Sequence, residues 1–495
     1  MIHVGDGSER HAIPRWSRID VAKTLGETSP VLYLPKQESL IQSQTDHLHF
    51  LLQEWKTEKN LPLALEIISS KQMMDTDIDI HEISQFALQK VSKMDHPPVL
   101  LCEFLDLPHD AMMLPEGSSS ASKTIAALKH SLNEAPYNAL MWCELARNYL
   151  IVGQQHKSER ALHIAMSIAP EHRTVIRAVS KFYSHTGDLD RGLYYLRKCP
   201  LIRYDPWILS SEIALSNEKG RSSRFVKLGQ QMLEDRAINP AALSELASEL
   251  GTMDFQNSNK RHGKRKLEIA KKSLHENAMA QMIWIDQNVC KIENIISDVR
   301  EPKCNYEADA KRCMELERWA DAIKIIRDWQ NYQPFSKDPA MAGSFLAADY
   351  LGDTQTAIKL LETGLKSNPN DKGLLNNLVY SQIMAGNLEE AYNRIQLLAT
   401  DLPKTEDDIM LTATLGLYHY RNGHPQIGSF YYRNAIDQAN IIGQTRLAYR
   451  AIVYYAREEK RIGNDIAPLL WEIHDSKNKA HYQSMSALID KFDLN

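Results

Sequence analysis

Apolar residues recur along this chain at steps of three and four, the spacing of a helix face turned to a core. Leu40, Ile41, Leu48, Leu51, Leu52 and Trp55 share one side and predict a helix from Gln37 to about Lys59. Pro62 suits the first turn of the next helix, followed by Leu65, Ile67 and Ile68. Further helices are expected over 80–94, 98–105 and 121–134, with a linker around Pro115–Ser122. From residue 136 a longer rhythm is superimposed. Tyr183 stands 34 residues after Tyr149, Gly192 after Ser158, Leu196 after Leu162 and Pro170 after Pro136. A fixed period of this length means stacked helical hairpins, each unable to bury its apolar face alone.

Trp142, Leu145, Ala146 and Tyr149 follow a W-x2-L-G-x2-Y opening, with Leu162, Ala165 and Pro170 at the later apolar, small and turn-making positions. On these residues the chain resembles the tetratricopeptide repeat superfamily over about 70% of its length. The rhythm continues through Leu246-Ala247, Leu267 and Ala270, with a turn widened around Asn257–Lys260. It returns with Tyr306, Ala310, Ala322 and Pro334, then Ala357, Pro369, Ala391, Pro403, Leu415-Gly416 and Gly428. The resemblance implies an all-α fold, a right-handed superhelical solenoid of antiparallel helix pairs with atypical helical caps. The organisation expected is an extended arm at 1–37, degenerate hairpins forming a cap at 38–135 and repeats at 136–275. An irregular connecting helix at 276–300, repeats at 301–440 and a closing cap at 441–495 complete it.

Within residues 1–37, Gly and Pro break any helical period, yet Trp16 and Tyr33 sit in short apolar clusters. Two states are open for this arm: docking on the array or a partner, or a mobile tail. The opening residues carry Asp6 and Glu9 and no apolar run, so they do not resemble a secretory leader. Six cysteines without a C-x-x-C pair give neither a zinc framework nor a disulfide scaffold. A reducing cytoplasm and no membrane insertion are expected. The net charge of −5 removes any global attraction to nucleic acid, leaving only local contacts.

Enzymatic patterns fail at the residues that would do the work. His81-Glu82 opens like a zinc-protease motif, but Gln85 replaces the second imidazole. Asp75, Asp77 and Asp79 resemble a calcium loop, but Ile80 occupies its glycine position and Phe86 its bidentate glutamate. Ser120 and Lys123 match S-x-x-K without its companion motifs. No phosphate-binding glycine loop or nucleophile elbow occurs. The expectation is a binding protein, not an enzyme, with no cofactor or metal.

The resemblance places the first helix of each hairpin along a concave groove. By register it assigns to that groove Arg147, Arg177, Lys181, Lys311, Asn376, Asn377, Tyr380, Tyr420 and Arg421. Arginines can grip carboxylates with two parallel hydrogen bonds and asparagines can grip peptide backbone, which implies an extended, acidic peptide or partner protein. Leu140 and Cys143 make the first repeat partly apolar there, unlike a carboxylate clamp. The Lys260, Arg261, Lys264, Arg265 and Lys266 cluster is the one local candidate for phosphate, expected on a turn. The functional expectation is a scaffold or adaptor. Its alternatives are a regulatory subunit holding an enzyme or toxin-like effector, and RNA binding through that basic cluster.

Overall fold

The computed structural model describes residues 10–16, 38–73, 78–93, 118–134, 136–235, 238–296, 305–398, 405–475 and 479–495. Every regular element among them is helical. The chain divides into one compact unit of residues 7–312 with 331–333, and another of 313–330 with 334–495.

In the first unit, α1 (Glu38–Thr57), α2 (Leu61–Met73) and α3 (His81–Val91) share a core of Leu48, Leu51, Trp55, Ile67, Ile68 and Ile83. Helix α4 (Ser118–Glu134) packs on α5 (Ala139–Ile151) through Leu132, Leu145 and Tyr149. There follow α6 (Gln155–Ile168), α7 (Arg173–His185), α8 (Leu189–Lys198), α9 (Pro206–Glu218) and α10 (Val226–Glu234). The unit continues with α11 (Pro240–Gln256), α12 (Lys260–Lys271), α13 (Glu276–Asn288), the short α14 (Glu293–Ile296) and α15 (Tyr306–Glu315).

Local chemistry explains why each helix starts and stops on the period. Asn138, His172 and Asp205 accept the first free backbone N–H groups of α5, α7 and α9. Removing such donors' partners leaves orphan amides, so caps recur where helices must begin. At the other end, Gly153 and Gly187 stand 34 residues apart at φ 74° and 80°, a left-handed conformation that a side chain resists. The pairs α5–α6, α7–α8 and α11–α12 are antiparallel hairpins, and the first helices α5, α7, α9, α11 and α13 pack side by side.

Three expectations change. The extra residues of the fourth hairpin do not widen its turn: 257–259 is as short as 152–154, and α11 is lengthened to 17 residues against 13 for α5, α7 and α9. Four residues are one helical turn, which a helix absorbs without breaking its hydrogen-bond ladder. Residues 276–300 are not one connecting helix: α13 is the first helix of another hairpin layer, packed on α11, and ends at Asn288. Within the segment 38–135 expected to cap the array, α2 packs on α11, a contact that an end cap alone does not require. The stretches 98–105 and most of the linker expected at Pro115–Ser122 lie outside the described residues, although Ser118 already belongs to α4.

The second unit contains α16 (Trp319–Tyr332) up to Gln330, α17 (Asp338–Phe345) running into a π-helical segment at Leu346–Leu351, α18 (Thr354–Ser367), α19 (Lys372–Met384) and α20 (Leu388–Leu398). Helices α21 (Glu406–Arg421), α22 (Pro425–Ile441), α23 (Thr445–Arg461), α24 (Ala467–His474) and α25 (Lys479–Lys491) follow. Hairpin partners cross where small residues sit 12 apart, as at Gly416 and Gly428. A Cβ at Gly428 would lie 2.4 Å from the Tyr420 ring and 2.9 Å from the Gly416 carbonyl. That ring is anchored, since the Tyr420 hydroxyl donates to Glu459. Gly428→Ala should therefore lose stability despite alanine's better helix propensity. Overpacking costs about 1–3 kcal/mol, against a propensity gain of about 1 kcal/mol. A urea melt showing an unchanged or higher midpoint would contradict this.

Candidate functional site

The side-by-side first helices of the 7–312 unit bring together polar residues one or two periods apart. Arg177 on α7, Ser211 on α9 and Glu245 on α11 are spaced by 34. Arg177 donates to Ser211 Oγ at 3.1 Å, and its two terminal nitrogens reach the two Glu245 oxygens at 2.9 Å each. Its guanidinium also lies 5.2 Å from the centroid of Trp207. A second ladder joins α9, α11 and α13: Asn217 and Gln281 donate to Glu249 at 2.8 and 2.9 Å. Glu249 is fully buried.

Residues 10–16 run across these ladders without helix or turn. Pro14 favours an extended conformation at Ile13 and brings no N–H of its own to satisfy. The Ala12 N–H donates to Glu249 at 2.6 Å, and Asn277 donates to the Ile13 carbonyl at 3.1 Å. His11 Nδ1 lies 3.3 Å from Glu249. Arg10 reaches Glu307 on α15 through two parallel hydrogen bonds of 3.1 and 2.9 Å. Arg15 donates to the same Glu307 and sits 3.7 Å from Glu276. Ala12 and Trp16 are buried, and Ile13 packs against the core cluster containing Leu209, Ile213 and Leu246. The arm is thus seated among carboxylates, with its backbone and its side chains both engaged.

The electrostatics match this placement. Burial raises the Glu307 carboxyl, but the charges of Arg10, Lys311 and Arg15 and the Arg10 hydrogen bond overcome it and hold the group well below the usual carboxylate range. Burial pushes the Glu245 carboxyl up, opposed by Arg177. His275 caps α13 by accepting the Asn277 N–H, and stacks at a tilt on Trp207. Burial, then Arg177, Arg15 and Arg10, press its imidazole down to about 3.

His275 therefore stays neutral with the arm seated. Stability from this arrangement is complete above pH 6.5 and is lost as pH falls from there towards about 3, because only the opened state takes up the proton. In Arg10→Ala/Arg15→Ala the imidazole should titrate nearer 6.5, read from its NMR shifts. An unmoved titration would mean that the arm's charges do not reach it.

The groove residues expected from the sequence have other duties. Arg147 is buried and bonded to Glu144 at 3.0 Å in its own helix, and Arg177 is committed to Glu245. Lys181 is half-buried. Lys311 donates to Glu307 at 2.8 Å, joining Arg10 and Arg15 on one carboxylate. The face met by the arm presents Glu249, Glu276 and Glu307 to it, carboxylates that the groove set expected from the sequence did not include. Its carboxylates were legible in principle: Glu245 and Glu249 stand two periods after Arg177 and Lys181.

In the 313–495 unit, Asn376, Asn377, Tyr380 and Tyr420 are buried and Arg421 is half-buried. Asn377 donates to Ser344 at 3.2 Å, and Asn376 accepts from Thr414 at 2.8 Å. The Tyr380 and Tyr454 hydroxyls both donate to Asp349 in the π-helical segment, and Arg457 donates to Tyr380 at 2.8 Å. Arg421 grips the buried Glu458 through two hydrogen bonds of 2.9 Å. Helix α25 packs on the π-helical segment, and Phe492 covers Arg457 and Tyr454. These side chains hold their own unit together.

The basic cluster is also displaced from its expected setting. It forms the first two turns of α12, not a turn of chain. Lys260, Arg261, Lys264 and Arg265 are exposed, while Gly263 faces Phe255 and Lys266 pairs with Asp254 at 2.7 Å. Tyr33 lies outside the described residues. Among the described residues no three His, Cys, Asp or Glu side chains gather as metal ligands, and no helix is long and apolar enough to cross a membrane.

Taken together, the helices and ladders define an all-α chain built of stacked helical hairpins. No known protein family and no curated protein matches it. Among solved structures it is similar to the human IFIT1 dimer with PPP-AAAA, at 15% identity over 72% of this chain and 89% of that one, TM-score 0.38. It is also similar to the structure of Naa15/Naa10 bound to HypK-THB, at 11% identity over 95% and 83% of the two chains, TM-score 0.24. A circular tandem repeat protein with novel repeat topology shares 14% identity over 92% of this chain and 89% of its own, TM-score 0.14.

Proposed function

We propose that this chain is a non-enzymatic scaffold that binds an extended peptide segment of another protein across the first-helix layer of its 7–312 unit. The observation supporting this is the seat of residues 10–16, where Glu249 and Asn277 hold the backbone and the neighbouring carboxylates hold side chains. A layer of stacked first helices offers such a seat preformed, which lowers the ordering cost of a docking peptide. A regulatory subunit would use the same seat for one enzyme or effector, and stoichiometric co-purification of a single partner would favour that role. The test is a photo-crosslinking residue placed at Asn217 in the full chain. Partner adducts should form there and fall at least tenfold in Glu249→Arg/Glu307→Arg. Undiminished adducts in that variant would remove the seat as the binding surface.

A second reading has its own observation, the four exposed cations on α12. RNA held there should lose affinity as salt rises, with a slope set by the number of phosphates neutralised. Lys260→Ala/Arg261→Ala/Lys264→Ala/Arg265→Ala should then abolish binding in a fluorescence titration. Salt-independent or unchanged binding would dismiss α12 as the contact.

A further inference from the structure

The seat on α11, α13 and α15 is selective in its chemistry. Glu249, Glu276 and Glu307 converge on it with little exposure, at 0%, 15% and 12% of their side chains. Arg10 and Arg15 add to Lys311 the positive charge that holds Glu307, so a seat without the arm keeps fewer counter-charges for its carboxylates and an acidic occupant would worsen their repulsion. Residues 10–16 answer each demand. Arg10 and Arg15 neutralise Glu307, Arg15 also approaches Glu276, His11 meets Glu249, and Ala12 is small enough to be fully enclosed. The contacts between Arg10 and Glu307 span 297 residues, so this is a docking event and not a local turn.

We infer that the seat is a receptor for an extended cationic peptide segment of a protein partner, and that residues 10–16 are its tethered occupant, which the partner must displace. This rests on the peptide-binding layer proposed above and names its ligand class and its control. The ligand carries two basic side chains five positions apart, with a small residue two places after the first. A tethered occupant competes at an effective concentration on the order of millimolar. With an intrinsic dissociation constant of about 10 μM for the tethered segment itself, a competing partner segment would therefore bind the intact protein roughly 100-fold more weakly than the opened one.

The probe is a fluorescein-labelled heptapeptide with the sequence of residues 10–16, followed by anisotropy against the full chain. Arg10→Glu/Arg15→Glu opens the seat by charge, and Ala12→Arg opens it by size should the first variant fold poorly. Binding at least tenfold tighter to either opened variant than to the wild type, and lost when Glu249→Gln/Glu307→Gln is added, is the expected result. Equal affinity for wild type and opened variants, still lost with the two glutamine substitutions, would overturn displacement while leaving a peptide-binding layer. Equal capture of a control peptide bearing glutamate in place of both arginines would overturn the cationic class alone. An opened variant of unchanged helicity by circular dichroism that binds neither peptide would overturn the peptide-binding layer itself.

Discussion

Glu307→Ala is expected to release residues 10–16 and expose them to protease. Glu307 accepts two hydrogen bonds from Arg10 and one from Arg15, and all three side chains are nearly enclosed. Removing one partner of a buried ion pair costs about 3–5 kcal/mol, because the charges left behind are unpaired. At roughly 1.4 kcal/mol per factor of ten, the seating equilibrium should weaken on the order of 10²–10³-fold, enough to leave the arm largely released. Trypsin cleavage after Arg10 and Arg15, timed by mass spectrometry, reads this directly. An unchanged cutting rate would show that Glu307 does not hold the arm. The acid response has a fixed sign: with Glu307 held well below 4.5, its contribution is complete above that value and vanishes only as pH falls through the depressed one.

The second large effect belongs to the other unit. Glu458 on α23 is fully buried and accepts from Arg421, from Arg457 at 2.8 Å and from Arg461 at 3.1 Å. Burial raises its carboxyl, but Arg457, Arg421 and Arg461 bring it below the usual range. Glu458→Ala strands several guanidinium groups around one small cavity and should destabilise the unit by about 3–5 kcal/mol. Glu458→Gln keeps an acceptor and should lose less. Chemical denaturation followed by circular dichroism distinguishes them, and an alanine variant as stable as wild type would mean that the network carries no stability.

The Glu458 and Glu245 pairs share a lesson about the sequence. Arg421 and Arg177 were identified as groove residues because the repeat register puts them on the first helix of a hairpin. Their helices are as expected, yet their carboxylate partners decide what they do. Arg421 is spent on Glu458, 37 positions away, and Arg177 on Glu245, 68 positions away. A one-dimensional register tells which face a residue takes; it does not tell whether a partner of opposite charge takes the same face of the neighbouring helix. The long α11 illustrates the same limit. Four additional residues read as a wider loop, whereas continuing the helix keeps every backbone group hydrogen-bonded.

The sequence by itself determined the helices, their period, the capping residues that start them and the glycines that end them. Each of these depends on interactions within a few residues or on a spacing that neighbouring repeats share. Only the tertiary structure decided that the seat is acidic, that residues 10–16 fill it, and that Tyr380, Asn376 and Asn377 are sealed inside their own unit. Those outcomes depend on contacts 30 to nearly 300 residues apart, where burial makes each charge choose a partner.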